Sequence, residues 1–154
     1  MVKNIERKNL KGFSIFELLV TMAILMILSL LVFPLAINKT QESKLQSYAS
    51  QLVTDIYYQQ NKCNLNNMPG GISLGTNTYT LFYGDSFATS TDTDLKKYPS
   101  NIRITSIALT NSNEITFTAG DFKPTSYGTL TVTDGMNSIQ VYINKEGLIG
   151  YEKL

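Results

Sequence analysis

Histidine is missing from this 154-residue chain, and cysteine occurs only once. The first absence removes the commonest catalytic base and the commonest metal ligand. The second excludes an internal disulfide. Cys63 sits in the polar run Asn61-Lys62-Cys63-Asn64, beside no recognisable base, so no catalytic thiol is expected. Asp92 and Asp94 offer carboxylate oxygens, but the spacing of a known calcium loop is absent and a solvated turn accounts for them. No catalytic residue, cofactor or metal is therefore expected, and neither is an enzyme. Arginine is scarce as well: beyond the first dozen residues only Arg103 remains, which argues against direct contact with nucleic acid. The net charge is +1, and without residues 1–12 nine basic side chains face eleven acidic ones. Lys96-Lys97 is a short basic pair of the kind that serves solubility.

What is present is concentrated at the start. Gly12-Phe13-Ser14-Ile15-Phe16-Glu17 opens a run over residues 13–37 with no charge except Glu17, preceded by Lys3, Arg7, Lys8 and Lys11 against Glu6. Such a run is expected to cross a bilayer with its basic end in the cytoplasm. As a helix it would span about 37 Å, somewhat more than the roughly 30 Å hydrocarbon layer, and tilt or a kink would absorb the excess. Pro34 supplies a place for a kink, because it removes a helical hydrogen bond and crowds the carbonyl of Leu30. Glu17 is the costly residue: a carboxylate carried to the bilayer centre costs about 2.5–3.5 kcal/mol. Cleavage after Gly12 would create its partner, a free ammonium on Phe13 one helical turn away. The positive end of the helix dipole favours the carboxylate in the same place.

These residues resemble the leader of type IV prepilins and type II secretion pseudopilins: a short basic leader ending in glycine, then phenylalanine, an apolar run, and glutamate at the fifth position after the cut. Lys11-Gly12-Phe13 and Glu17-Leu18-Leu19-Val20 match that pattern position by position. The resemblance implies that a prepilin peptidase cuts between Gly12 and Phe13 on the cytoplasmic side and N-methylates Phe13. It further implies that Glu17 pairs with the Phe13 ammonium of a neighbouring subunit during assembly, and that a proline such as Pro34 lies beside a segment able to lose helicity in a filament. Three plainer readings compete. A secretory signal would have a shorter apolar core and a small-residue cleavage site. A simple signal anchor leaves Glu17 without a reason. A buried helix of a soluble protein would need more chain to surround it.

From Asn38 the pattern becomes one-sided. Leu45, Ala49, Leu52 and Ile56, with Tyr48 and Val53 beside them, recur at spacings of three and four, while Lys44, Gln51, Asp55 and Gln59 fall between. The helix is expected to continue to about Gln60 or Lys62 and stop before Pro69-Gly70-Gly71. Beyond Thr78 the period falls to two: Ile102 and Ile104, Ile115 and Phe117, Leu130 and Val132, and Ile139, Val141 and Ile143 mark strands. Asn111-Ser112-Asn113, Asp134-Gly135 and Asn144-Lys145-Glu146-Gly147 mark short turns between antiparallel neighbours. The polar residues 84–100 read as a surface loop. Residues 79–150 also resemble, more loosely, the strand series of H-type pseudopilins and fimbrial T-type minor pilins.

The expected fold class is α+β, a long N-terminal helix packed on a C-terminal antiparallel β-sheet domain. Its parts are a leader over residues 1–12, a membrane or filament-core helix over 13–37, an amphipathic continuation over 38–62 and a β domain over 63–154. The function implied is a pilin-like structural subunit, a minor pilin or pseudopilin, of a type IV pilus or of a type II secretion or competence pseudopilus. Its partners would be other such subunits, the prepilin peptidase, the inner-membrane assembly platform and membrane lipid. It would first be a single-pass membrane protein with its N-terminus cytoplasmic, then part of an extracellular or periplasmic filament. The alternative is a membrane-anchored binding or sensor module that recognises a ligand through loops 84–100 and 121–127.

Overall fold

The computed structural model describes residues 12–110 and 113–154, and of residues 31–36 the backbone alone. The leader over residues 1–11, Asn111 and Ser112 of one expected turn, and the side chain of Pro34 lie outside the described residues. The chain divides after Thr40 into two compact units. One helix, α1 (Ile15–Asn66, 52 residues), is assigned without a break across Pro34.

In the first unit every residue over 12–30 is exposed. Among the described residues, no helix is long and apolar enough to cross a membrane. The expected span over 13–37 falls in part on residues 31–36, whose side chains lie outside the described residues.

In the second unit, Gln41–Leu154, the helix buries one stripe. Leu45, Ala49, Leu52, Val53 and Ile56 are buried as their spacing predicts. The helix runs four residues past Lys62, because Gln59, Gln60 and Cys63 continue the stripe and are themselves buried. Gln59 was expected on the polar side. Instead its Nε2 donates to the Phe82 carbonyl at 2.7 Å, and Gln60 Nε2 donates to the carbonyls of Phe122 and Gly147 at 2.7 and 2.8 Å. The helix ends where Asn67 turns left-handed at φ 51°, and the Met68 amide reaches back to the Cys63 carbonyl at 3.3 Å. That is a Schellman closure with asparagine in glycine's usual place.

Two four-stranded antiparallel sheets follow where a single sheet was expected. The first has the order β3-β2-β1-β5, from β1 (Gly70–Leu74), β2 (Thr78–Tyr83), β3 (Asp92–Lys97) and β5 (Glu114–Phe117). The second has the order β4-β6-β7-β8, from β4 (Arg103–Leu109), β6 (Gly128–Thr133), β7 (Ser138–Ile143) and β8 (Ile149–Lys153). Side chains of both sheets and of the helix meet in one cluster. Tyr98 packs edge-on against Tyr48 and tilted against Tyr79, with ring centres 5.5 Å apart in each pair.

The helix stops before Pro69-Gly70-Gly71 as expected, but Gly70 and Gly71 then enter an interior strand that the alternation of apolar residues did not mark. A methyl group on Gly71 would lie 2.3 Å from the Ile115 carbonyl, and one on Gly70 would lie 2.6 Å from Gln59 Nε2. These are close-packing glycines. Residues 84–100 are not one loop, because they contain the 3₁₀ turn Phe87–Thr89 and β3. β3 is an edge strand exposed on both faces, so it carries no apolar alternation.

Candidate functional site

Three of the four residues singled out in sequence, Gly12, Phe13 and Glu17, lie at the mouth of α1. Ser14 is its N-cap: Ser14 Oγ accepts from the Phe16 amide at 3.3 Å, and the Ser14 carbonyl accepts the first helical bond, from the Leu18 amide at 3.1 Å. Ser14 and Glu17 have the spacing of a capping box, with Phe13 and Leu18 at the positions of a hydrophobic staple. The sequence offered this signal as Ser-x-x-Glu ahead of an apolar run, and the reading of Glu17 as an ion-pair partner passed over it. The serine oxygen caps the Phe16 amide rather than that of Glu17, so the reciprocal bonds of the box are not formed among the described residues. Glu17 lies in the first turn, exposed, and makes no ion pair or hydrogen bond among the described residues.

Gly12 and Phe13 precede the helix. Among the described residues a methyl group on Gly12 would meet nothing within 4 Å, and its φ lies outside the left-handed region. Neither crowding nor backbone conformation calls for glycine there. Phe13 is 78% exposed, as are its apolar followers Ile15 at 85% and Phe16 at 75%. The arrangement leaves the Gly12–Phe13 bond open to a protease and the Glu17 carboxylate open to a second molecule. Pro34, the fourth residue singled out, lies in the helix with its side chain undescribed.

The second unit contains a cleft of about 490 Å³ at the end of α1, lined by residues that include Lys62, Met68, Tyr83, Thr91 and Asp92. Lys62 donates to the Tyr83 hydroxyl at 2.6 Å, and its ammonium lies 4.1 Å from the centre of that ring and 5.5 Å from the Tyr58 ring. The hydrogen bond to Tyr83 is the main cause that holds the Lys62 ammonium above the usual lysine range. The lysine is thus a charged, cation–π-held side chain and not a neutral base. Cys63 beside it is 1% exposed, and burial pushes its thiol up to about 11. A thiol so placed is neither a nucleophile nor a ligand at neutral pH.

Comparison with known proteins returned one match. No curated protein and no solved structure matched the chain, residues 79–150 with their looser resemblance included. Across residues 7–33, which hold Gly12, Phe13, Ser14 and Glu17 together, the chain carries the prokaryotic N-terminal methylation motif, the signature of type IV pilin and pseudopilin precursors.

Proposed function

We propose that this chain is a pilin-like structural subunit, a minor pilin or pseudopilin without enzymatic activity, cut after Gly12, methylated on Phe13 and assembled through its N-terminal helix. The system served is a type IV pilus, a type II secretion apparatus or a competence pseudopilus. The precursor is a single-pass membrane protein with a cytoplasmic N-terminus, in contact with lipid, the prepilin peptidase and the inner-membrane assembly platform. The mature subunit belongs to an extracellular or periplasmic filament.

One observation carries the reading: an apolar surface over residues 13–30 that is exposed on every side, with Glu17 as its one charge and that charge without a partner among the described residues. Apolar surface of that extent is covered by lipid or by copies of itself. A cut after Gly12 then gives the covering copy a cation to present to Glu17. Direct contact with nucleic acid has no place in this reading, because the chain beyond residue 12 is not basic.

Glu17 could act only locally, as the third helical residue of a capping box, and the test separates the two roles. Glutamine fills a capping box as well as glutamate does, but it carries no charge. Glu17→Gln and Glu17→Ala are both expected to leave cleavage intact and to lower incorporation into filaments alike. Normal incorporation of Glu17→Gln with loss in Glu17→Ala would reduce Glu17 to a cap. Mass spectrometry of the mature N-terminus is expected to find methylated Phe13. An intact Met1 in filament-producing cells would favour a simple tether carrying a binding module instead.

A further inference from the structure

We propose that the exposed edge strand β3 is a self-recognition surface, which pairs antiparallel with β3 of a second copy about a two-fold axis through Leu95. The proposal concerns the second unit alone and does not depend on the pilin reading.

Among the described residues β3 pairs with β2 on one side only and is the edge of its sheet. Its side chains are exposed except for half-buried Lys96, and Leu95 is 51% exposed on a strand otherwise composed of charges and threonine. Edge strands are commonly blunted by charge, which works when the charge has one sign, because a second copy is then repelled. Here the signs compensate. The strand reads Asp92-Thr93-Asp94-Leu95-Lys96-Lys97, acidic in its first half and basic in its second. Reversal by a two-fold axis lays one half against the other.

Backbone geometry and charge together select one register. In antiparallel pairing, opposed residues must both turn their amide and carbonyl toward the partner or both away, so the two residue numbers of every opposed pair share parity. Centring the axis on Asp94 opposes it to its own copy, and centring on Lys96 opposes two lysines; both are repulsive. Centring on Leu95 opposes Leu95 to Leu95, Thr93 to Lys97, and Asp94 to Lys96 twice. Asp94 and Lys96 share one face, opposite Leu81 and Tyr79 of β2, and already pair with each other at 2.7 Å. Across the axis the four charges alternate in sign around a square, beside a leucine pair on the other face.

The test uses the full chain in detergent micelles, with the buried Cys63 left in place and the unsubstituted chain as blank. In the proposed register, Cα atoms at position 95 lie about 4.5–5.5 Å apart, within disulfide reach. Those at position 93 are offset by four residues, on the order of 13 Å, which is out of reach. Under mild oxidation Leu95→Cys is expected to form covalent dimer, and Thr93→Cys at least about tenfold less. Adding Asp94→Lys, or separately Lys96→Asp, to Leu95→Cys is expected to cut trapping by roughly tenfold, since two attractive pairs become repulsive. Mixing those two charge variants, one of them mass-tagged, is expected to restore trapping as heterodimer only, because each then meets opposite charge across the axis. Equal trapping at 93 and 95, no trapping at 95, or no rescue in the mixture would overturn the proposal.

Discussion

Two stretches of one helix treat their apolar side chains in opposite ways. Over residues 15–30 every side chain is exposed, whereas Leu45, Ala49, Leu52 and Ile56 are at most 1% exposed. Hydrophobicity alone does not decide this, since the exposed stretch is the more apolar of the two. Pattern decides it. A one-sided stripe can be covered by strands from the same chain, and this chain supplies eight of them among its described residues. A helix apolar all round cannot be covered from one side, so its cover must come from outside the chain. The two stretches therefore differ in which mutations they tolerate and in which measurement reports the damage.

The largest expected effect breaks the covered stretch. Ile56 is fully buried at the centre of the cluster, so Ile56→Asp places an unpartnered charge among apolar groups and is expected to cost more than about 4 kcal/mol. The cooperative thermal transition followed by near-ultraviolet circular dichroism should disappear. The matched change Leu25→Asp, at a side chain 62% exposed, should leave that transition in place and instead release the protein from membranes.

A second comparison lies within the second unit, between glycines that close-pack and glycines in open turns. Gly147 has φ +85°, and a methyl group there would lie 2.4 Å from the Phe122 carbonyl and 2.6 Å from Gln60 Nε2. Gly147→Ala combines a left-handed backbone with loss of the Gln60 bridge, and roughly 2–3 kcal/mol is expected from chemical denaturation. Gly135, at φ +92° with nothing within 4 Å, carries only the backbone penalty, so Gly135→Ala should cost about 1–2 kcal/mol.

These examples show what the sequence discloses and what it withholds. The stripe Leu45, Ala49, Leu52 and Ile56 and the strands around Ile115, Leu130 and Val141 are legible because one face of each element is buried, which imprints a period. The switch inside β4 is legible in hindsight. Ile104 is buried before a bulge, whereas Ile107 and Leu109 pack after it, with Ser106 at φ 48° absorbing the change of parity. β3 was hidden because both its faces are wet. β1 was hidden because its first residues are glycines chosen for contact. Gln59 and Gln60 were hidden because burial by hydrogen bonds to distant carbonyls leaves no local trace. At the candidate site the spacing from Gly12 to Glu17 carried the reading, since a site that acts through other molecules must be encoded locally.

Alkaline pH should sharpen the contrast by acting on the covered part alone. Burial raises the Tyr79 and Tyr98 hydroxyls well above the usual tyrosine range, helped at Tyr79 by its hydrogen bond to Asp55 and at Tyr98 by the Asp55 charge, and burial pushes the Cys63 thiol up to about 11. All three are raised, so the folded state holds protons that the unfolded state releases. Their contribution is complete below the unfolded values, about 8.5 for cysteine and about 10 for tyrosine, and declines as pH rises through the folded ones. The melting temperature should therefore fall from about pH 9 upward, and Tyr98→Phe should make that fall shallower. A decline of equal steepness in Tyr98→Phe would show that these phenols do not govern it.

The smallest effect expected is at the uncovered end. Ser14→Ala removes the side-chain acceptor of the Phe16 amide, a change usually worth about 1 kcal/mol of helix stability. Because residues 12–30 are exposed and no tertiary packing holds them among the described residues, the loss should appear undiluted in the first turn. Hydrogen exchange at Phe16 and its neighbours is expected to quicken about fivefold, corresponding to that free energy. Amides of Leu52 and Ile56 should not change, since their protection comes from the sheets rather than from the helix start. Slowed filament incorporation in Ser14→Ala with normal exchange would assign the serine to an intermolecular contact instead. Quickened exchange with normal incorporation would show that the helix mouth is re-formed by its neighbours on assembly, so that the cap matters only to the free subunit.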